Sequence, residues 1–312
     1  MPGKPREKRP ADTSLRPAKL RDHRTMIVIV GYIVVIGSVV GGFTWAGGNV
    51  LNLWHPSEVV TIGGAMLGAA IIMSPGKVLK DTVTGLIGTF KSAPFSKACY
   101  EQLFQVMYLL FKMARQEGVL VLESHVSDPH SSPVFSKFPL IHHNHHAMEF
   151  ICGAIAPLID GSVTPDRIGG MLEEEIHVME EEHHGPISTV QKAADGLPGF
   201  GIVAAVLGIV ITMGHIDGPV EEIGHMVGAA LVGTFLGILA SYGFLAPMAV
   251  KMEFNGHEEM MFFRTVATMI QGFANDLSPK VAIEMARRKL GSGIRPTREY
   301  VEELLKKAES GG

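Results

Sequence analysis

The stretch LPGFGIVAAVLGIVITMGHIDGPVEEIGHMVGAALVGTFLGILASYGFLAPMAV, Leu197–Val250, decides how this chain is built. Two apolar runs, about Leu197–Met213 and Met226–Val250, flank a short polar turn, and neither contains a lysine or arginine. A bilayer crossing needs roughly 17–25 apolar residues, so this reads as a membrane hairpin. Nearer the N-terminus lies a second hairpin, from MIVIVGYIVVIGSVVGGFTWA (Met26–Ala46) and EVVTIGGAMLGAAIIM (about Glu58–Met73). The last of these is short and must borrow flanking residues or tilt little. One such run could be a buried helix of a soluble protein; four in two close pairs are not explained that way.

The rest of the composition fits. The 312 residues are 46% hydrophobic with 36 glycines, a residue that lets membrane helices approach closely. A net charge of −4 gives no footprint for nucleic acid, and the two cysteines, Cys99 and Cys152, suggest neither a disulfide framework nor a zinc knuckle. No cleavable signal peptide is expected, because the first run lacks an A-x-A site and is long enough to span.

Orientation follows from the cations. Residues 1–25 hold 8 lysines and arginines, residues 74–196 hold 9, and residues 251–312 hold 10, which accounts for all 27. The two hairpin turns hold none, and the second carries the carboxylates Asp217, Glu221 and Glu222. By the positive-inside rule both termini and the middle segment are cytoplasmic, and the turns face outward. Trp45 and Trp54, the two tryptophans, bracket the first turn as an aromatic belt would.

Helical spacing dominates the cytoplasmic parts. Leu103, Met107, Leu110, Phe111 and Ala114 recur three or four apart, and Met252, Met260, Phe263, Val266, Ile270 and Phe273 extend the fourth span inward. Pro296-Thr297 opens a last helix, with Glu302–Lys306 and Glu303–Lys307 as supporting pairs. No run alternates like a strand. The expected fold is all-α: a tail at 1–25 that is basic, proline-rich and disordered, a hairpin at 26–73, a cytoplasmic helical domain at 74–196, a second hairpin at 197–250, and cytoplasmic helices at 251–312. The start of translation stands open between Met1 and Met26. The histidines of LIHHNHHAMEF and EEEIHVMEEEHHG include His142 and His146, which on one helix would sit i,i+4 as a metal pair does. No complete ligand set accompanies them, so the expectation is a histidine-rich solvated face with no cofactor. The acidic runs Glu173–Glu175 and Glu180–Glu182 read likewise as solvated.

Almost nothing in the spans titrates. Glu58 is placed at the outer end of the second span, within reach of water, and the deeper polar groups are Thr61, Thr212, Thr234, Ser241 and Tyr242. A proton relay usually needs an intramembrane carboxylate, so another chain would have to supply it. Small residues line the last two spans: Gly201 with Ala205, Gly233 with Gly237, and a face of Ala230, Thr234, Gly237 and Ser241. That face suits either a partner helix or packing within the subunit. Pro198 reads as the start of the third span, and Pro247, inside the fourth, frees the carbonyl of Gly243 and predicts a kink. No convergent set of acids, bases or nucleophiles suggests an enzyme.

Val30–Phe43, Ala114–Glu123, Leu197–Val210 and Val232–Ala249 resemble, in order and spacing over about residues 26–290, the MotA family of flagellar stator subunits. The resemblance implies a pentamer of such subunits around two MotB chains in the bacterial inner membrane. Each MotB contributes a proton-carrying aspartate and anchors to peptidoglycan, while the cytoplasmic domain pushes on the rotor protein FliG. Residue by residue, it makes Pro198 and Pro247 the functional prolines, Arg115 and Glu123 the rotor-contact charges, and Thr234 the channel-lining threonine. Sodium-driven relatives carry a threonine where this sequence has Ala205, which implies protons. A TolQ/ExbB-type energiser is the alternative; those proteins have fewer spans and lack the paired hairpins.

Overall fold

The computed structural model describes residues 23–91 and 95–311. The chain runs through α1 (His23–Trp45), α2 (Pro56–Met73), α3 (Gly76–Gly88), α4 (Lys97–Glu117), α5 (Glu123–Ser127), α6 (Pro139–His142) and α7 (His145–Ile159). It continues through α8 (Pro165–Met213), α9 (Val220–Ile238), a π-helical turn at Leu239–Leu245, α10 (Ala246–Ala274), α11 (Pro279–Lys289) and α12 (Arg298–Glu309). No strand occurs among the described residues. The basic tail up to residue 22 lies outside them, and from His23 the chain is already helical.

Four stretches are long and apolar enough to cross a membrane: Met26–Trp45, Val50–Met73, Pro165–Met213 and Val220–Ala274. The second borrows its missing length from a 3₁₀ turn at Val50–Leu53 ahead of Pro56. The last two do not stop at the membrane. α8 is one helix of 49 residues, about 70 Å long at 1.5 Å per residue. The α9–π–α10 rod covers 55 residues, about 80 Å on the same rise. The boundaries expected near residues 196 and 250 are therefore not breaks in the chain's path, and two rods join the apolar hairpins to the remaining helices.

The helices outside the hairpins, with the lower ends of α8 and α10, bury an extensive apolar core. Leu103, Met107, Leu110 and Phe111 on α4 pack with Ile151 and Ile155 on α7, Ile168 and Leu172 at the base of α8, and Phe262, Phe263 and Ile270 on α10. Burying each such side chain contributes about 1.5–3 kcal/mol, and Phe111 adds a stacked contact with Phe273 at 4.3 Å. Thr297 caps α12 through its hydroxyl, which accepts from the Tyr300 amide. Glu302 pairs with Arg298 at 3.0 Å, not with the expected Lys306.

The polar expectations need correction. A break at His143 and Asn144 separates α6 from α7, so His142 and His146 stand on different helices and cannot chelate as an i,i+4 pair. Among the described residues no group of three or more His, Cys, Asp or Glu side chains is arranged to hold a metal ion. His146 instead approaches Glu259 at 4.0 Å, and His183 Nε2 meets the same carboxylate at 3.2 Å while its Nδ1 faces the Met179 carbonyl. Nor are the acidic runs wholly solvated: Glu173 and Glu180 grip Arg264 of α10, and Glu182 pairs with Lys77 of α3. These pairs tie α8 to both neighbours.

Proline placement differs as well. Pro198 lies well inside α8 rather than at a helix start. Its ring removes one N–H and leaves the carbonyl of Ala194, four residues earlier, without its helical partner. Ser241, in the π-helical turn, donates its hydroxyl to that carbonyl at 2.6 Å. Pro247 follows the same π turn as the second residue of α10, so the strain of the second proline is taken up by a wider helical turn immediately before it. Removing the Ser241 hydroxyl leaves the Ala194 carbonyl unsatisfied in an apolar setting. Ser241→Ala is expected to lower stability by about 1–3 kcal/mol, read as a lower thermal midpoint of the solubilised protein, with Ser241→Thr retaining most of it.

His183 yields a pH prediction. Its pKa is raised above 6.5, chiefly by the hydrogen bond to Glu259, with burial opposing. A histidine whose folded pKa exceeds its unfolded value contributes stability that is fully present below the unfolded value and lost as pH rises through the folded one. The thermal midpoint should therefore fall as pH is raised from about 6 upward, and His183→Gln should flatten that slope.

Candidate functional site

The geometry that matters lies where α8 crosses α9. A Cβ built on Gly237 would fall 2.6 Å from the Leu197 carbonyl oxygen and 2.9 Å from the Gly201 Cα; one on Gly201 would fall 2.9 Å from the Gly233 carbonyl oxygen. Further out, a Cβ on Gly208 would meet that of Ala230 at 2.7 Å. Backbones this close exclude any side chain at Gly201, Gly233 and Gly237. The small face of Ala230, Gly237 and Ser241 thus packs against α8 of the same chain, which decides between the two readings the sequence left open. Ala205, Thr234 and Pro198 stay half-buried at the margins of this seam, and Pro247 is exposed. Thr44, Thr61 and Thr212 turn their hydroxyls back to carbonyls four residues earlier; Thr234 makes no such bond.

Glu58 is not where the sequence reading put it. It sits in the first turn of α2, yet only 8% of it is exposed. A Cβ on Gly233 would lie 2.6 Å from its Oε2 and 3.3 Å from the Ala205 nitrogen. The carboxylate therefore rests over the glycine next to Thr234, at the level of Ala205. Eight residues of α8 separate Ala205 from the helix end at Met213, so the carboxylate lies about 12 Å below that end. Its Oε2 is enclosed and has no hydrogen-bond partner among the described residues. A lone carboxylate in an apolar helix was the available signal; distance along α2 concealed its depth, because α8 and α9 extend further outward.

The expected rotor charges stand away from the spans, at the end of α4 and the start of α5. α4 ends at Glu117, Gly118 adopts φ 91°, and a 3₁₀ turn at Val119–Leu122 leads to Glu123 at the start of α5. The two charges are thus not on one helix. Glu123 is exposed and makes no ion pair among the described residues. Arg115 donates to the carbonyls of Asp276 and Leu277 and pairs with Asp276 Oδ1 at 3.3 Å. Asp276 is held at φ 62°, a left-handed conformation uncommon for residues other than glycine. Arg115 therefore pins the α10–α11 corner beside a cavity of ≈ 460 Å³ lined by Ala114, Leu158, Val163, Phe273 and others.

Comparison with known proteins agrees with this arrangement. Residues 29–118 match the motility protein A N-terminal domain, and residues 142–265 match the MotA/TolQ/ExbB proton channel family. Motility protein A of Salmonella typhimurium is 35% identical over 281 residues, covering 90% of this chain and 95% of that protein. Chemotaxis protein LafT of Vibrio parahaemolyticus is 34% identical over 280 residues, covering 90% and 98%. The fold is shared with C. jejuni MotAB (TM-score 0.73, 21% identity, 88% of this chain and 98% of that one). It is shared also with the flagellar MotAB stator complex of Bacillus subtilis (TM-score 0.70, 23% identity, 86% and 98%). With four helices long and apolar enough to cross a membrane, two long rods and a relative this similar along nearly its whole length, the chain belongs to the motility protein A family of the MotA/TolQ/ExbB proton channels.

Proposed function

We propose that this chain is the ion-conducting, force-bearing subunit of a flagellar stator. Several copies, five by resemblance, surround a MotB-type partner in the inner membrane, with both termini and the middle segment in the cytoplasm. Protons pass between this subunit and a carboxylate of the partner. The resulting change of shape drives the cytoplasmic domain against the rotor protein FliG.

The observation that carries this reading is the pair of long, continuous rods. α8 and α9–π–α10 run from the Ala205–Thr234 level into the cytoplasmic core. They are joined at Pro198 by the Ser241 hydroxyl and below the membrane by Arg264 and Glu259. A shift at the ion level is therefore carried mechanically to the end where Arg115 and Glu123 stand. The prolines and the π turn supply the level at which the backbone ladder of both rods is interrupted; Pro186 interrupts α8 alone, further down. Pro198 and Pro247 take the role of hinge. Thr234 and Ala205, half-buried, keep surface open to the partner's helix. Ala205 offers no hydroxyl to replace the water of a sodium ion, which supports protons as the coupling ion.

Restoring a stator-deletion strain tests the whole reading. With a MotB-type partner the chain should support swimming that a protonophore abolishes and that ignores external sodium. Sodium-dependent speed would overturn the role given to Ala205, and failure to swim with any such partner would overturn the stator reading.

The rotor contact has its own test. Glu123 is exposed and unpaired, so Glu123→Lys should leave folding and membrane level intact while reducing motility, because a surface charge steers docking more than it stabilises a fold. A matching reversal on the rotor should restore part of the loss. Arg115→Glu is the less clean probe, since it also releases Asp276 and Leu277.

A further inference from the structure

We infer that Glu58 is a second proton-binding site of the conduction path, carried by this subunit itself. The inference rests on the stator reading above.

The first observation is enclosure. Glu58 is 8% exposed in the isolated chain, and Oε2 is sealed without a hydrogen-bond partner. A carboxylate in the first turn of a helix commonly caps it, reaching back to a free backbone N–H. Oε2 makes no such bond, so local helix capping does not explain where it points. A buried carboxylate oxygen left without a donor in its own chain can be satisfied only by a group from outside it.

The second observation is place. The carboxylate lies over Gly233 and so borders Thr234 and Ala205, the two positions assigned to the ion path. Gly233 has to be glycine for it to lie there, because a Cβ would come within 2.6 Å of Oε2. The stretches of α8 and α9 around Glu58 bring no competing charge, and α3, which also packs on α2, carries Lys77, Lys80 and Asp81 beyond the opposite end of α2. α8 from Leu197 to Met213 and α9 from Met226 to Ile238 contain no ionisable residue. The nearest along the chain are His55, held at the Asn52 carbonyl at 3.0 Å, and the exposed His225, eight residues above Gly233 on α9. Asp217, Glu221 and Glu222 lie beyond, at the outer turn and exposed.

The step balances simply. The ionised carboxylate of Glu58 accepts a proton delivered from the outer water and becomes a neutral acid. It then releases that proton to the ionised carboxylate of the partner and returns to its starting charge. Nothing is oxidised or reduced.

Glu58→Gln preserves shape but cannot carry a proton. In the complete stator complex reconstituted into vesicles, it should cut proton flux about tenfold or more at normal protein level. In cells it should lower swimming speed and change the dependence of speed on external pH. A Glu58→Gln stator with unchanged flux and an unchanged pH profile would overturn the proposal, leaving Glu58 a packing group. Should Glu58→Gln fail to accumulate, Glu58→Asp decides: it keeps a proton-binding carboxylate one methylene short, so a shifted pH profile supports the proposal and an unchanged one overturns it. If the unmodified chain conducts no protons with its partner, the stator reading itself has failed, and that result is separate from any difference between Glu58 variants.

Discussion

Everything distinctive in this structure rests on how closely α8 and α9 approach each other. Gly201, Gly233 and Gly237 let two backbones come within contact distance, with the Leu197 and Gly233 carbonyls occupying space a Cβ would need. In a bilayer no hydrophobic force holds helices together, because lipid tails are as apolar as leucine side chains; dispersion and hydrogen bonding across the seam must do it. The Ser241–Ala194 bond is the polar part of that seam. It also satisfies the carbonyl that Pro198 frees. One contact thus holds the pair together and makes a proline tolerable in the middle of a long rod.

That arrangement has a mechanical consequence. A helix with a complete hydrogen-bond ladder is stiff along its axis, and both rods keep theirs for most of their length. Each is interrupted near the same level, by Pro198 in α8 and by the π turn and Pro247 in the other rod. Below this level Arg264, Glu259 and His183 cross-link the rods, and the core around Phe262 and Phe263 fixes their ends. Pro186 interrupts α8 a second time, but within this cross-linked stretch, so the zone at the level of Pro198 and the π turn is the one left free to bend. The carboxylate of Glu58 sits just outside this zone, against Gly233.

Much of the fold was legible in the sequence because its signals are local. Apolar run lengths, the placing of cations and the three-to-four spacing of Leu103, Met107, Leu110 and Phe111 each depend on neighbours along the chain. The resulting all-α plan and the buried faces of α4 and α10 appear in the structure as expected. The candidate site was legible only in part. Pro198 reads as a helix start when the apolar run begins beside it, since composition changes there while the backbone helix does not. His142 and His146 read as a pair only while one helix is assumed, and the Asn144 cap removes that assumption. Arg115 reads as a free surface charge because its partner, Asp276, lies 161 residues away.

The sequence by itself determined the membrane hairpins, the helical class and the family, since hydropathy and motif order are carried by consecutive residues. Tertiary structure alone decided the depth of Glu58, the partner of the Ala194 carbonyl and the role of the small-residue face. Each of these depends on the relative height and rotation of α2, α8 and α9. Those are set by close backbone packing between segments more than 100 residues apart, in the case of α2. A carboxylate near the start of one helix is deep or shallow only with respect to how far its neighbours extend, and no local pattern in the chain records that height.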